Sequence, residues 1–187
     1  RAIWRIQYTV TGNDSDAVAD LYAQSEQQKA EIIAVLEASD LTRNEIRSGV
    51  VDHQRIEYRD NGQRLVDARR VLSGVIEVDT TRVHNVAPAR ARLNELIARG
   101  FDLTNSAPSY LFTGLNTIKP DMVREATKNA RIAATEFARN AGVRVGGIRS
   151  ARQGNFVIRD AGSEYGNTDK IEKDVRVVTT ITFYLDR

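Results

Sequence analysis

The sequence predicts an α+β fold, a mixed and largely antiparallel sheet with helices packed on one face. Three observations carry this. The first ten residues place Trp4, Ile6, Tyr8 and Val10 on one side at period two, the mark of a strand with one buried face. The stretch from Pro120 to Gly142 repeats small apolar residues at helical spacing. The last dozen residues return to a near-regular alternation, with Val175, Val177, Thr179, Ile181, Phe183 and Leu185 on one face and Arg176, Thr180, Thr182 and Tyr184 on the other. Hairpins mixed with single helices point to antiparallel pairing rather than to a doubly wound parallel sheet.

After the opening strand, Gly12, Asn13 and Asp14 form a break, and Ser15 or Asp16 is placed to cap a helix. Its apolar positions are Val18, Leu21, Tyr22, Ile32, Ile33 and Leu36. Thr42 and Glu45 have capping-box spacing and open one further turn. Strands follow at 50–59 and 67–80, joined by Asp60-Asn61-Gly62-Gln63, in which the Asn-Gly pair tolerates the positive φ of a tight hairpin. A second helix spans 85–99, with Pro88 tolerable only in its first turn and Gly100 as its stop. A short strand at 109–115 precedes the third helix, whose Pro120 fits a first helical position and whose Gly142 closes it. Val123, Ala126, Ala130, Ala133, Phe137 and Ala141 form its apolar stripe, small enough for close approach to a sheet. Gly146-Gly147 reads as a bulge in the strand after it, and Ala161–Asp169 as a solvated loop between the last strands. The order parses as two βαββ units, about 1–80 and 108–186, joined by the middle helix. A single domain over 1–187 is expected.

Length and composition agree. A chain of 187 residues, 41% apolar and 28% charged, with 12 Gly and 3 Pro, is ordinary globular material and not collagenous, disordered or low-complexity. At this length roughly 70% of the unfolded chain's surface is buried on folding, so no metal or disulfide staple is needed. Net charge is +2 from 27 basic and 25 acidic residues. The pI of about 9.0 reflects 22 Arg against 5 Lys on a nearly balanced chain, and no polybasic run exists, so nucleic acid is not an expected partner. The absence of cysteine excludes a disulfide scaffold, a thiol nucleophile and a zinc knuckle. No window approaches the ~18 apolar residues of a spanning helix. The chain begins at Arg1 and not at Met, so a further segment is expected upstream.

The inventory for chemistry is short. His53 and His84 are the only histidines, and no Gly-x-Ser-x-Gly elbow marks a nucleophile to go with them. No metal-ligand spacing occurs, and the acids between Asp160 and Asp169 lack ligand periodicity. Gly142 to Gly147 follows a helix instead of opening one, so it is not a phosphate loop. No cofactor, metal or catalytic residue is expected. Arginine is the unusual feature. Arg124, Lys128, Arg131 and Arg139 lie on the third helix, and Arg144, Arg149, Arg152 and Arg159 follow it. Guanidinium forks suit carboxylate and phosphate. Arg124, Lys128, Arg131, Arg139, Arg149 and Arg152 are therefore the candidate face for an anionic ligand; the competing reading is a solvated face paired locally with Glu125 and Glu136.

Several stretches resemble a known family. They are Leu111-Phe112-Thr113-Gly114-Leu115-Asn116, Ile118-Lys119-Pro120-Asp121, Glu125-Ala126-Thr127-Lys128-Asn129-Ala130-Arg131, Phe137-Ala138, Ala151-Arg152-Gln153-Gly154 and Val175–Thr180. Together they are similar to the SIMPL-domain family, also called domain of unknown function 541, a bacterial group that includes periplasmic immunogenic proteins. The resemblance spans nearly the whole chain and is strongest from Tyr110 to Asn155. It implies a periplasmic place, free or tethered to a membrane by an upstream signal or anchor, and self-association into homo-oligomers. It supplies no catalytic residues, and it assigns Gly114 and Gly142 to turns and Ala126 and Ala130 to close packing.

Three readings follow. The first is a non-enzymatic envelope protein that self-associates, linked to envelope stress, whose long alternating strands offer sheet edges to neighbouring copies. The second is a module binding an anionic envelope ligand through the arginine segment. The third is a hydrolase using His53 or His84.

Overall fold

The computed structural model describes residues 1–186. The fold is α+β, with every strand pair antiparallel. The chain divides into two compact units, Arg1–Leu111 and the residues from Phe112 on.

In the first unit β1 (Ala2–Asn13) pairs along its full length with β4 (Leu65–Thr80), from Ala2↔Thr80 to Asn13↔Arg69. The outer edge of β4 is taken by β2 (Ile46–Ser48) and then β3 (Asp52–Arg59), and the outer edge of β1 by β5 (Asp102–Asn105) and β6 (Ser109–Tyr110). Two helices, α1 (Val18–Glu37) and α2 (Val83–Ala98), pack beside one another, α1 on β1 and β4 and α2 on β5. The core lies between. Trp4, Ile6, Tyr8 and Val10 are buried as their alternation predicts, with Leu72, Ile76 and Val78 from β4, Ile32, Ile33 and Leu36 from α1, and Val86, Leu93 and Leu96 from α2.

Several expectations shift. Val18 and Tyr22 are exposed, and Ser25 takes a buried place on α1 instead. Neither Ser15 nor Asp16 caps α1; Ala17 stands at its N-cap, while Asp16 Oδ2 accepts from the Asn13 N–H at 2.7 Å. The Thr42/Glu45 capping box forms, but around a single 3-10 turn, Arg43–Glu45. In the β3–β4 turn the left-handed residue is Gln63, at φ 63°, and not Asn61 or Gly62. The cause is Asp60, whose Oδ1 accepts from the N–H groups of Gly62 and Arg64 and folds the turn before Gln63. The middle helix is no linker: α2 belongs to the first unit, and Tyr110 of β6 is buried opposite Ala2. The second βαββ unit therefore lacks its leading strand.

The second unit is one helix on one long ribbon. Helix α3 spans Leu115–Asn140, beginning before the expected start, so Pro120 sits in its second turn, and Pro88 is likewise the sixth residue of α2. Strands β7 (Arg144–Gln153) and β8 (Val157–Asp160) form one arm of the ribbon, and β9 (Lys173–Arg176) and β10 (Thr179–Asp186) the other. β7 pairs with β10 and β8 with β9. Between them, residues 154–156 face 177–178, and the Gly154 N–H donates to the Val178 carbonyl at 2.8 Å. Register also shifts at Gly146-Gly147, as expected of a bulge, and again at Arg149.

Candidate functional site

His53 lies exposed on β3 and His84 exposed in the first turn of α2. Among the described residues no three His, Cys, Asp or Glu side chains stand close enough to hold a metal ion, and no helix is long and apolar enough to cross a membrane.

The candidate cations do not share one face. On α3, Arg124 pairs with Asp121, Lys128 with Glu125 at 3.9 Å and Arg139 with Glu136 at 2.5 Å, each three residues back along the helix. Such exposed pairs contribute about 0–1 kcal/mol each. Arg131 turns to the ribbon: its Nη2 donates to the Gly146 carbonyl at 3.0 Å, and its guanidinium sits 5.6 Å from the centre of the Phe183 ring. Arg152 is the register partner of Thr180, on the ribbon face opposite the one that Phe183 turns to the helix. Arg149 is the extra residue of a bulge. Lys128 and Arg131 border a common hollow of about 370 Å³ beside Ile132, Thr135 and Glu136.

The helix keeps the first half of the expected stripe and loses the second: Val123, Ala126 and Ala130 are half-buried. Ala133, Phe137 and Ala141 are exposed, Phe137 at 76%. The seam runs through Met122, Ala126, Ala130, Ala134 and Ala138, spaced by four, with Val123 and Thr127 half-buried beside it, and Ala138 alone is fully buried. A row spaced by four instead of 3.6 drifts round the helix, so Phe137 is carried off the seam. The alanines leave a gap between helix and ribbon. It is an open groove of about 670 Å³, walled by Met122, Ala126 and Ala130 on one side and Val175, Val177 and Thr179 on the other.

At the far end the ribbon is closed by an ion pair that the sequence did not reveal. Asp160 and Lys173 face one another in register, with side chains 3% and 4% exposed. Lys173 Nζ donates to Asp160 Oδ1, while Oδ2 accepts from the N–H groups of Asp169 at 2.8 Å and Lys170 at 3.1 Å. Burial alone would raise the Asp160 carboxyl; Lys173 and the two N–H groups outweigh it and hold it below its ordinary value. The expected solvated loop is thus tied at its base, with Tyr165 exposed upon it.

What remains unpaired is the ribbon. Among the described residues no strand joins the outer edge of β7 or of β10. On the face away from α3, Val178, Thr180, Thr182 and Tyr184 are exposed. The arm Arg144–Asp160 carries Arg144, Arg149, Arg152 and Arg159 against one acid, Asp160; the arm Lys173–Asp186 balances Lys173 and Arg176 with Asp174 and Asp186.

Residues 1–183 match the model of a family described as SIMPL, protein of unknown function (DUF541). The chain belongs to that family. A search of the curated proteins found no match to it. The SIMPL match covers all of the first unit and almost all of the ribbon, so both are parts of the family's shared sequence and neither is an appendage.

Proposed function

We propose that this SIMPL chain is a non-enzymatic protein of the bacterial periplasm that works by assembling with copies of itself, and that the ribbon is the assembling element. One observation carries the reading: a ribbon roughly 45 Å long, at ~3.3 Å per residue, has a helix on one face and, among the described residues, no strand on either edge. Isolated two-stranded ribbons are marginal in water, and long free edges recruit further strands. The occupant is a second copy. β7 against β7 would set arginine on arginine, a repulsion the neutral β9–β10 arm does not present, so the contact proposed is the β7 arm of one copy on the β10 arm of the next. Such a contact is head-to-tail, and it ends in a discrete assembly when its rotation closes a ring. The envelope setting rests on the family resemblance, a link to envelope stress is part of the same proposal, and the exposed positions of His53 and His84 favour a non-enzymatic role.

The test is molar mass by light scattering behind size exclusion, at low and high salt. A discrete multiple of the 20.9 kDa chain is expected. Thr182→Lys with Tyr184→Lys makes the β10 arm basic, and is expected to return the protein to monomer. Charge reversal at Arg149 and Arg152 in that background is expected to restore the assembly. A wild-type monomer at both salts would reject the reading.

A further inference from the structure

Helix α3 carries different chemistry on its two flanks. On the side of the β9–β10 arm, Asp121, Glu125 and Asn129, at i, i+4 and i+8, edge the open groove of about 670 Å³. Ile132, seven residues on from Glu125, continues that side and is 54% exposed. On the side of the β7 arm stand Thr127 and Arg131, at i and i+4, where Arg131 Nη2 donates to the Gly146 carbonyl of β7. Thr127 turns its hydroxyl to the Val123 carbonyl at 2.9 Å, and Arg131 has no carboxylate partner among the described residues. Glu125 meets Lys128 only at 3.9 Å, with both side chains exposed. The ribbon face beneath the helix is bare at both edges. Ile148 on β7 and Leu185 on β10 share that face with Phe183, and they are 51% and 63% exposed.

Spacing decides what covers these surfaces. In a head-to-tail contact the arriving β7 runs antiparallel to β10, as the copy's own β7 does, so the arriving helix falls on the same face of one continued sheet. Each copy adds two strands, a step of about 9.6 Å at ~4.8 Å per strand. Packed helices stand about 8–10 Å apart. We propose, resting on the ribbon assembly, that α3 of one copy packs in parallel along α3 of the next and closes the groove, with Glu125 facing Arg131 and Asn129 against Thr127 of the next copy. The acid-edged flank and the arginine flank are complementary in charge, and they lie on opposite sides of one helix, as a head-to-tail contact requires.

The test uses the absence of cysteine from the chain. Asn129→Cys with Thr127→Cys places two thiols on opposite sides of α3, where they cannot join within one helix. Oxidation with copper–phenanthroline is expected to give a ladder of disulfide-linked copies on a non-reducing gel, and neither single variant is expected to give one. Glu125→Arg is expected to raise the concentration for half-assembly about ten-fold, and Arg131→Glu in the same chain to bring it back. No ladder from an assembled double-cysteine variant, or an assembly indifferent to Glu125→Arg, overturns the helix contact and leaves the ribbon reading standing. Failure of Arg131→Glu to restore it also overturns the contact. A dimer from Asn129→Cys alone makes the contact two-fold and overturns it too. If the double-cysteine variant is itself a monomer, Glu125→Arg and its reversal decide. A wild-type monomer overturns both readings.

Discussion

Tyr8 lies flat across Gly74. The two are register partners on β1 and β4, and a Cβ on Gly74 would stand 2.2 Å from the Tyr8 ring. The glycine is there to admit the ring, which covers the bare backbone in return. Gly74→Ala is therefore expected to cost about 1–3 kcal/mol, as overpacking does, read as a lower urea midpoint at unchanged slope. Replacing Tyr8 by Leu in the same chain should recover much of that loss. Strict additivity of the two substitutions would show that the ring and the glycine are not coupled.

Gln63 holds a left-handed conformation without being glycine, at an exposed turn. That geometry costs roughly 1–2 kcal/mol for a residue with a Cβ. Gln63→Gly is expected to raise stability by about 0.5–1 kcal/mol, since glycine's extra freedom in the unfolded chain takes back part of the gain. A fall in the thermal midpoint would count against the turn as described.

The Asp160 carboxyl is held below its ordinary value of 3.8 by Lys173 and two N–H groups. A carboxyl depressed in the folded state stabilises above its unfolded pKa, and that contribution fades as pH falls through the folded one. Wild type is thus expected to lose more stability than Asp160→Asn between pH 5 and the acid limit. Asp14, Glu45, Glu57 and Asp79 are also lowered, but they are common to both proteins and drop out of the difference. Parallel acid curves for the two would remove Asp160 from the account.

Phe137 is 76% exposed, so Phe137→Ser should leave the unfolding midpoint of the first unit unchanged and shift overall stability by no more than about 0.5 kcal/mol. A loss of several kcal/mol would place Phe137 inside the seam after all. Arg124→Ala with Arg139→Ala should leave the assembly intact, because both cations are paired within their own helix.

The core of the first unit was legible because period-two alternation is written directly into Trp4 to Val10, and burial follows it residue by residue. β5 was not legible: Asp102 to Asn105 holds one apolar residue, and its strand state comes from pairing with β1. The apolar positions of α3 show helix, but not which row faces inward. Alanines fit either row, and only the ribbon's position selects Ala134 and Ala138 over Ala133 and Phe137. The six cations likewise suggest one face only while their partners are unknown; Asp121, Glu125 and Glu136 claim three of them and Phe183 a fourth. Asp160 and Lys173 lie 13 residues apart with no spacing that marks a pair, and they meet because the ribbon's register brings them opposite.

Residues 154–156 face only 177–178, yet the alternation from Ile171 to Tyr184 runs on without a break. All the irregularity is thus absorbed by one arm. Related chains should therefore differ in length between Val143 and Phe156, where an inserted residue becomes one more bulge. Between Lys173 and Asp186 they should keep the same count, since a single deletion there turns Ile181 and Phe183 outward and sends Thr180 and Thr182 against the helix. The two arms of one ribbon would then record evolutionary time at different rates, one in gaps and the other in substitutions alone.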